Sequence, residues 1–521
     1  MSGPAFTRIR AAVATGLVVM AAATAAGDSR LVDAARSRDT RAVRALLSQR
    51  VDVNGRAEDG ATALLWAAHW NDLEVAELLI RAGADVNAAN DLRITPLSLA
   101  CTNGNASFVQ RLLTAGANPN TPIATGETPI MTCAMSGSAG AVQALIARGA
   151  DVNAKEPVQG QTALMWAALE HHPDVVKALV EHGADLRAHT KKGFTALHFA
   201  ARDGDIESAR LLVAAGLDVN IVSQPEPTAA SPGGRGESGS GARGGGPGRS
   251  GGPSFEATVS AGSTPLLVAT VRAQVPLALF LLEHGADPNV ESAGFTPLHW
   301  ASGTWENGEA NPVFGFTDAM SGIPDRDAKV QLVKSLLAHG AKPNARMTSR
   351  PPAFAGGYSD VVGATPFLLA AATADVEIMR LLLAAGADPK LTTRSNATAL
   401  MAAGGMNRTL GESAVTEEQA LEASKLLLEL GVNAKAVASN GENSLFGPAY
   451  RGWNTLVQLM IDNGANVNAV SKAGITPWRA ASGQGDRLGG VLFNHDTAAL
   501  LVKHGADPEL GKPCMAQNKC R

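Results

Sequence analysis

Apolar residues in this chain recur in short, helix-spaced blocks that stop on a glycine. In "LLIRAGADVNAAND" (78–91) the apolar run ends at Gly83, and Asp85 and Asn87 follow. The figure returns as "LLTAGANPN" (112–120), "LIARGADVN" (145–153), "LLVAAGLDVN" (211–220), "LLEHGADPN" (281–289) and "LLLAAGADP" (381–389). "MIDNGANVN" (460–468) and "LVKHGADPE" (501–509) continue it. The glycine stands at Gly83, Gly116, Gly149, Gly183 and Gly216, with spacings of 33, 33, 34 and 33. It returns at Gly285, Gly340, Gly386, Gly431, Gly464 and Gly505, where wider spacings hold insertions of 36, 22, 13, 12 and 8 residues. A fixed period of this size marks a repeat array.

A second figure follows most of these glycines: "TPLSLA" (95–100), "TALHFAA" (195–201), "TPLHWAS" (296–302), "TPFLLAA" (365–371) and "TPWRAA" (476–481). Threonine caps a helix N-terminus, and proline suits the first helical position, where its missing N–H is harmless. The glycine closes the second helix of each unit in the left-handed conformation, which costs glycine little. Asp85, Asn87 and their counterparts favour the turn into the next unit. Each period thus predicts a turn, a helix, a loop and a second helix.

On these motifs the chain resembles ankyrin-repeat proteins, of an exported bacterial type, over residues 28–510. The resemblance implies an all-α solenoid of about twelve stacked helix-turn-helix units, with short hairpin-like turns on one edge. Only His198 and His299 keep the signature histidine, and "ENSLFGPAY" (442–450) lacks the Thr-Pro pair. One unit cannot bury its own apolar face, so neighbours must stack. The first unit carries Arg30, Arg36, Arg38, Arg41 and Arg44, the polar outer face of an N-terminal cap. By contrast, "TPLLVATVRAQVPLALFLLEHG" (264–285) is apolar on both faces, so the array is expected to run through the break before it.

The expected organisation is a signal peptide (1–26), repeats one to six (28–222), a disordered Gly/Ser/Pro-rich insertion (223–260), repeats seven to twelve (261–510) and a polar tail (511–521). The signal assignment rests on Arg8 and Arg10, the uncharged run 11–26 and the small-x-small site Ala23-Thr24-Ala25. Sixteen apolar residues are too few to span a bilayer, so no stable membrane insertion is expected. A frayed, alanine-rich N-terminus is the alternative.

Composition narrows the function. Hydrophobic residues make up 45% but aromatics only 4%, which suits close-packed, alanine-rich helices. A net charge of −4 offers no basic field for nucleic acid. The G-x-G-x-x-G match at 234–239 lacks the flanking strand and helix of a nucleotide site. Glu170, His171 and His172 form an exposed polar loop, or else a surface metal site. His182, His284, His339 and His504 precede repeat glycines and favour helix C-termini. Trp66, Trp166 and Trp300 share one repeat position and are assigned to packing between units. Cys101 and Cys133 are expected to be small, buried and unpaired, whereas Cys514 and Cys520 could close a disulfide in the tail. There is no nucleophile–base pair, H-E-x-x-H motif or phosphate loop, so neither catalysis, cofactor, metal nor small-molecule substrate is expected.

The resemblance implies a non-catalytic scaffold or adaptor that binds an unidentified protein through a concave face and loop rim, and the expected signal peptide places it in the periplasm or outside the cell. A secreted effector or inhibitor of another cell's proteins is one alternative, and a structural spacer is the other. Candidate contacts are positions that packing does not need: Glu58, Asp59, His69, Trp70, Thr102, Asn103, Lys191, Lys192, Phe194, Arg202, Asp203 and Tyr450. Large aromatics concentrate at interface hot spots. Three insertions, 304–325, 405–420 and 483–496, fall between paired helices on one rim, which is expected to be the specific binding surface rather than the regular N-terminal half, the alternative being that its aromatics fold back over the groove. The first offers Trp305, Phe314, Phe316 and Met320 as further contacts.

Overall fold

A computed structural model describes residues 29–224, 261–303, 305–306, 320–321, 323–349, 361–405, 415–483 and 493–511. The expected signal peptide, the insertion beyond Gln224, Phe314, Phe316, Cys514 and Cys520 lie outside these residues. Among the described residues, twenty-four helices follow one another in pairs. The chain divides between Ala230 and Ser231 into two compact units. Within each unit, first helices pack on the first helices of neighbouring pairs and on their own second helices.

The pair Ala63–His69 and Leu73–Arg81 shows how local sequence builds the repeat. Thr62 is extended, and its hydroxyl accepts the Leu65 N–H at 3.3 Å, starting the first helix. Asp72 caps the second by accepting the Val75 N–H at 3.0 Å. Gly83 then turns the chain at φ +93°, with nothing within 4 Å of where a Cβ would stand. Its glycine is therefore required by conformation rather than by crowding. The first helix is buried along nearly its whole length, and the second only on one stripe. In the pair lacking Thr-Pro, Asn443 takes the threonine's place, accepting the Leu445 N–H at 3.1 Å before the helix Phe446–Arg451.

The residues after the glycine divide their work more sharply than turn propensity suggests. Asp85 makes the turn, its carboxylate accepting the Asn87 N–H at 2.9 Å. Asn87 instead reaches the next pair. Its amide donates to the Gly116 carbonyl at 3.1 Å and accepts the Asn118 N–H at 2.8 Å. Asn54, Asn120 and Asn153 repeat this two-bond bridge to Gly83, Gly149 and Gly183. In the second unit Asn289, Asn344 and Asn468 do the same. Arg187, Lys390 and Lys435 hold the position elsewhere, and the two lysine side chains lie over Gly431 and Gly464.

Two further links join neighbouring pairs. Cys101 and Cys133, expected to be unpaired, form a disulfide with Cα atoms 4.4 Å apart. They lie on the adjacent first helices Pro96–Thr102 and Pro129–Met135, and both are fully buried. Lys329 stands on the helix Arg326–Ala338 and meets Asp375, the cap of Val376–Ala384, at 3.3 Å. Both side chains are almost buried, and Arg326 also contacts Asp375 at 3.4 Å. Burial lowers the Lys329 pKa, and the Asp375 carboxylate opposes that shift. Between helices Pro297–Ser302 and Arg326–Ala338, Trp305–Glu306 pairs antiparallel with Met320–Ser321. A short strand ladder thus gathers the base of an insertion expected to be a loop.

Candidate protein-binding surface

Where first helices end, the first unit presents a continuous edge. Trp70 is the C-terminal cap of Ala63–His69 and remains 40% exposed. Its indole N–H donates to the Arg36 carbonyl of the preceding pair at 3.0 Å, which fixes the ring's orientation. Trp66 stacks on it at 6.2 Å between centroids, and His69 meets it edge-on at 4.6 Å. The Arg36 guanidinium lies 4.9 Å over Trp66, and that of Arg38 lies 5.8 Å over Trp70. Burial lowers the His69 pKa and so favours the neutral ring. The Trp66 indole nitrogen is buried without a hydrogen-bond partner. An aromatic held on several sides yet open to solvent can bury apolar area against a partner at little entropic cost.

The same edge runs on through the next pairs. Asn103 is exposed, but its amide is committed to the Ala68 carbonyl at 2.8 Å, and the Thr102 hydroxyl bonds Ser98 at 3.0 Å. Glu170 follows, with its pKa raised chiefly by burial and also by the Asp203 charge, against the lowering effects of His172, Arg202 and His171. Arg202 and Asp203 pair with each other at 3.0 Å, and each is about one-quarter exposed. His172 is turned to the Met135 carbonyl at 3.2 Å. Among the described residues, no three His, Cys, Asp or Glu side chains could hold a metal ion.

The hairpin-like turns form the opposite edge. Glu58 is exposed there, while the Asp59 carboxylate accepts the Ala61 N–H at 3.0 Å. Backbone bonds link successive turns, from Asp91 N–H to Asp59 at 3.1 Å and from Lys191 N–H to Gln159 at 2.8 Å. Lys191 and Lys192 are exposed, and the Lys191 ammonium rests on the Pro157 carbonyl. Two apolar tips that the candidate set omits stand out here, Leu92 at 42% exposure and Val158 at 63%. Phe194 corrects an expectation, because it is only 4% exposed and its ring packs on His198 at 5.5 Å. The position before the threonine is also buried at Ala61, Phe295 and Ala364, a repeat-wide signal that Phe194 belongs to the core.

In the second unit Tyr450 is half-buried, and its carbonyl accepts the Asn494 amide at 2.9 Å. Trp305 lies in the strand ladder described above. Trp66 and Trp300 are buried, and Trp166 is half-buried. His182, His284 and His339 each cap a second helix and bond the carbonyl four residues back, at 2.7 to 2.8 Å. His504 instead meets Gln458 at 3.0 Å.

No helix among the described residues is long and apolar enough to cross a membrane. Residues 17–90, 88–156 and 155–223 match a family model described as ankyrin repeats (3 copies), and residues 362–394 match one described as ankyrin repeat.

Proposed function

We propose that this chain of ankyrin repeats is a non-catalytic scaffold or adaptor that binds another protein along the first-helix edge of its first unit. Ankyrin repeats generally mediate protein–protein interaction. The observation that carries the assignment to this edge is Trp70, 40% exposed and held by the Arg36 carbonyl, Trp66 and His69. The scaffold acts outside the cytosol, in the periplasm or beyond the cell. The charged, then apolar, then small-residue order of 8–25 supports that address. So does the Cys101–Cys133 disulfide, since such bonds persist in oxidising compartments. The insertion 304–325 is a second contact region, supported by Trp305 and by the strand ladder at its base.

The test is crosslinking of the tagged, processed chain in its own compartment, beside a Trp70→Ala variant whose circular dichroism matches the parent. A specific crosslinked species that is lost in the variant is expected. Equal crosslinking by both proteins would remove the Trp70 edge, and the absence of any specific species would favour a spacer.

A further inference from the structure

If this edge is a contact surface, its charges define what it can hold. Residues 29–50 carry six arginines against two aspartates. Arg44 is committed to Glu74 at 2.6 Å on the second-helix side. Asp39 is spent as a helix cap on the Ala42 N–H at 2.9 Å, and Asp33 lies 3.7 Å from Arg36. Arg38 has no carboxylate within ion-pair distance among the described residues, and its guanidinium lies over Trp70 instead. A guanidinium stacked on an indole keeps its in-plane N–H donors free for carboxylates.

The backbone at Arg38 is common to the repeat. It is left-handed at φ +60°, at a position that other pairs fill with Gly104, Gly137 and Gly204 or with Asn71, His171, Ala273 and Ala374. An L side chain costs about 1 kcal/mol or more there. Past this end the edge offers Thr102, Asn103, Met135, Ser136 and Leu169 before Glu170 and the Arg202–Asp203 ion pair. With Arg202 balanced by Asp203 and Glu170 beside them, net positive charge on this edge sits at the Arg36–Trp70 end.

We propose that the Arg36–Arg38–Trp70 end of this edge binds an acidic peptide segment, with carboxylates on the two guanidinium groups and an apolar side chain against Trp70. The patch is two arginines wide, with Asp33 3.7 Å from Arg36 and Asp39 next to Arg38 in the chain. A narrow chain can use it, whereas a lipid surface or a phosphate polymer would also meet those carboxylates.

The test uses the processed full chain and three fluorescent peptides of about twelve residues. They share a Gly-Ser-Leu background and differ only in carrying Glu, Gln or Lys at every third position. Fluorescence anisotropy is expected to show the Glu peptide binding about tenfold or more tighter than the Gln peptide, with the Lys peptide weakest. That advantage shrinks as salt rises from about 50 to 500 mM. It is lost in Arg36→Gln/Arg38→Gly, which installs the glycine of other repeats and so avoids backbone strain. It persists in the control Arg44→Gln/Arg50→Gln. Equal Glu and Gln affinities, a preference surviving in the folded double variant, or tighter binding to heparin or phosphatidylglycerol vesicles overturns the proposal. If Glu and Gln peptides bind equally but both are lost in Trp70→Ala, the contact surface stands and only its charge preference falls. If no peptide binds, the acidic-segment proposal fails, and the crosslinking comparison alone judges the surface.

Discussion

His299 has both ring nitrogens committed in a buried site. Nδ1 accepts the Thr296 N–H at 3.1 Å, so Nε2 carries the proton and donates to the Ala345 carbonyl of the next pair at 3.0 Å. That is the neutral tautomer, and burial lowers the pKa to about 4, although bonds to the Ala345 and Ala364 backbones oppose the shift. The unfolded chain takes up this proton first, near pH 6.5. His299 therefore contributes full stability above about pH 6.5, and that contribution is lost as pH falls towards 4. The shift corresponds to about 3 kcal/mol. Thermal unfolding between pH 7 and 4 should show a falling midpoint, with part of the decline removed in His299→Gln. An unchanged decline in that variant would exclude His299 as a source. The role of His299 follows from its place in the T-P-L-H motif, but the pKa shift depends on burial by neighbours the motif does not contain. At Phe194 the reverse holds, since its burial shows only when its repeat position is compared with Phe295 and Ala364.

At the level of helices, the caps were readable because their partners lie three residues away, as Thr62 and Leu65 do. Links between helices were harder. Cys101 and Cys133 are 32 residues apart, one short of the period, which places them side by side on adjacent first helices. Lys329 occupies the place of a capping aspartate such as Asp72, and its helix begins a turn earlier, so only the fold pairs it with Asp375. The disulfide closes a loop of about thirty residues and should stabilise the first unit by about 3 kcal/mol. Cys101→Ala/Cys133→Ala should thus unfold at clearly lower denaturant concentration. Thiol labelling of the denatured parent should detect these two cysteines only after reduction. Labelling without reduction would show the pair to be open.

For the whole molecule, the 33-residue period was legible from Gly83 to Gly216 because insertions are absent there. Exposure was legible at Trp70 from its place in the repeat but not at Leu92 and Val158, which differ from buried residues only in what the neighbouring pair leaves open. The address of the chain is the prediction that belongs to this scale. Intact-mass measurement of the cellular protein should place its N-terminus within a few residues of Gly27. A dominant species retaining residues 1–27 would defeat the proposed export, and would leave the Cys101–Cys133 bond to form where disulfides are rare.

The asparagine bridges have a consequence for how such a chain can change length. Each bridge is written in two halves, an asparagine in one repeat and a glycine carbonyl in the next, and both halves recur with the period. Excising or duplicating one whole period between Asn54 and Gly183 would rejoin matching halves, so no new junction would have to be invented. Arg187, Lys390 and Lys435 break that interchangeability. Recombination across those three junctions would bring an arginine or a lysine to a neighbour adapted to asparagine, making them the places where this array should be slowest to gain or lose a repeat.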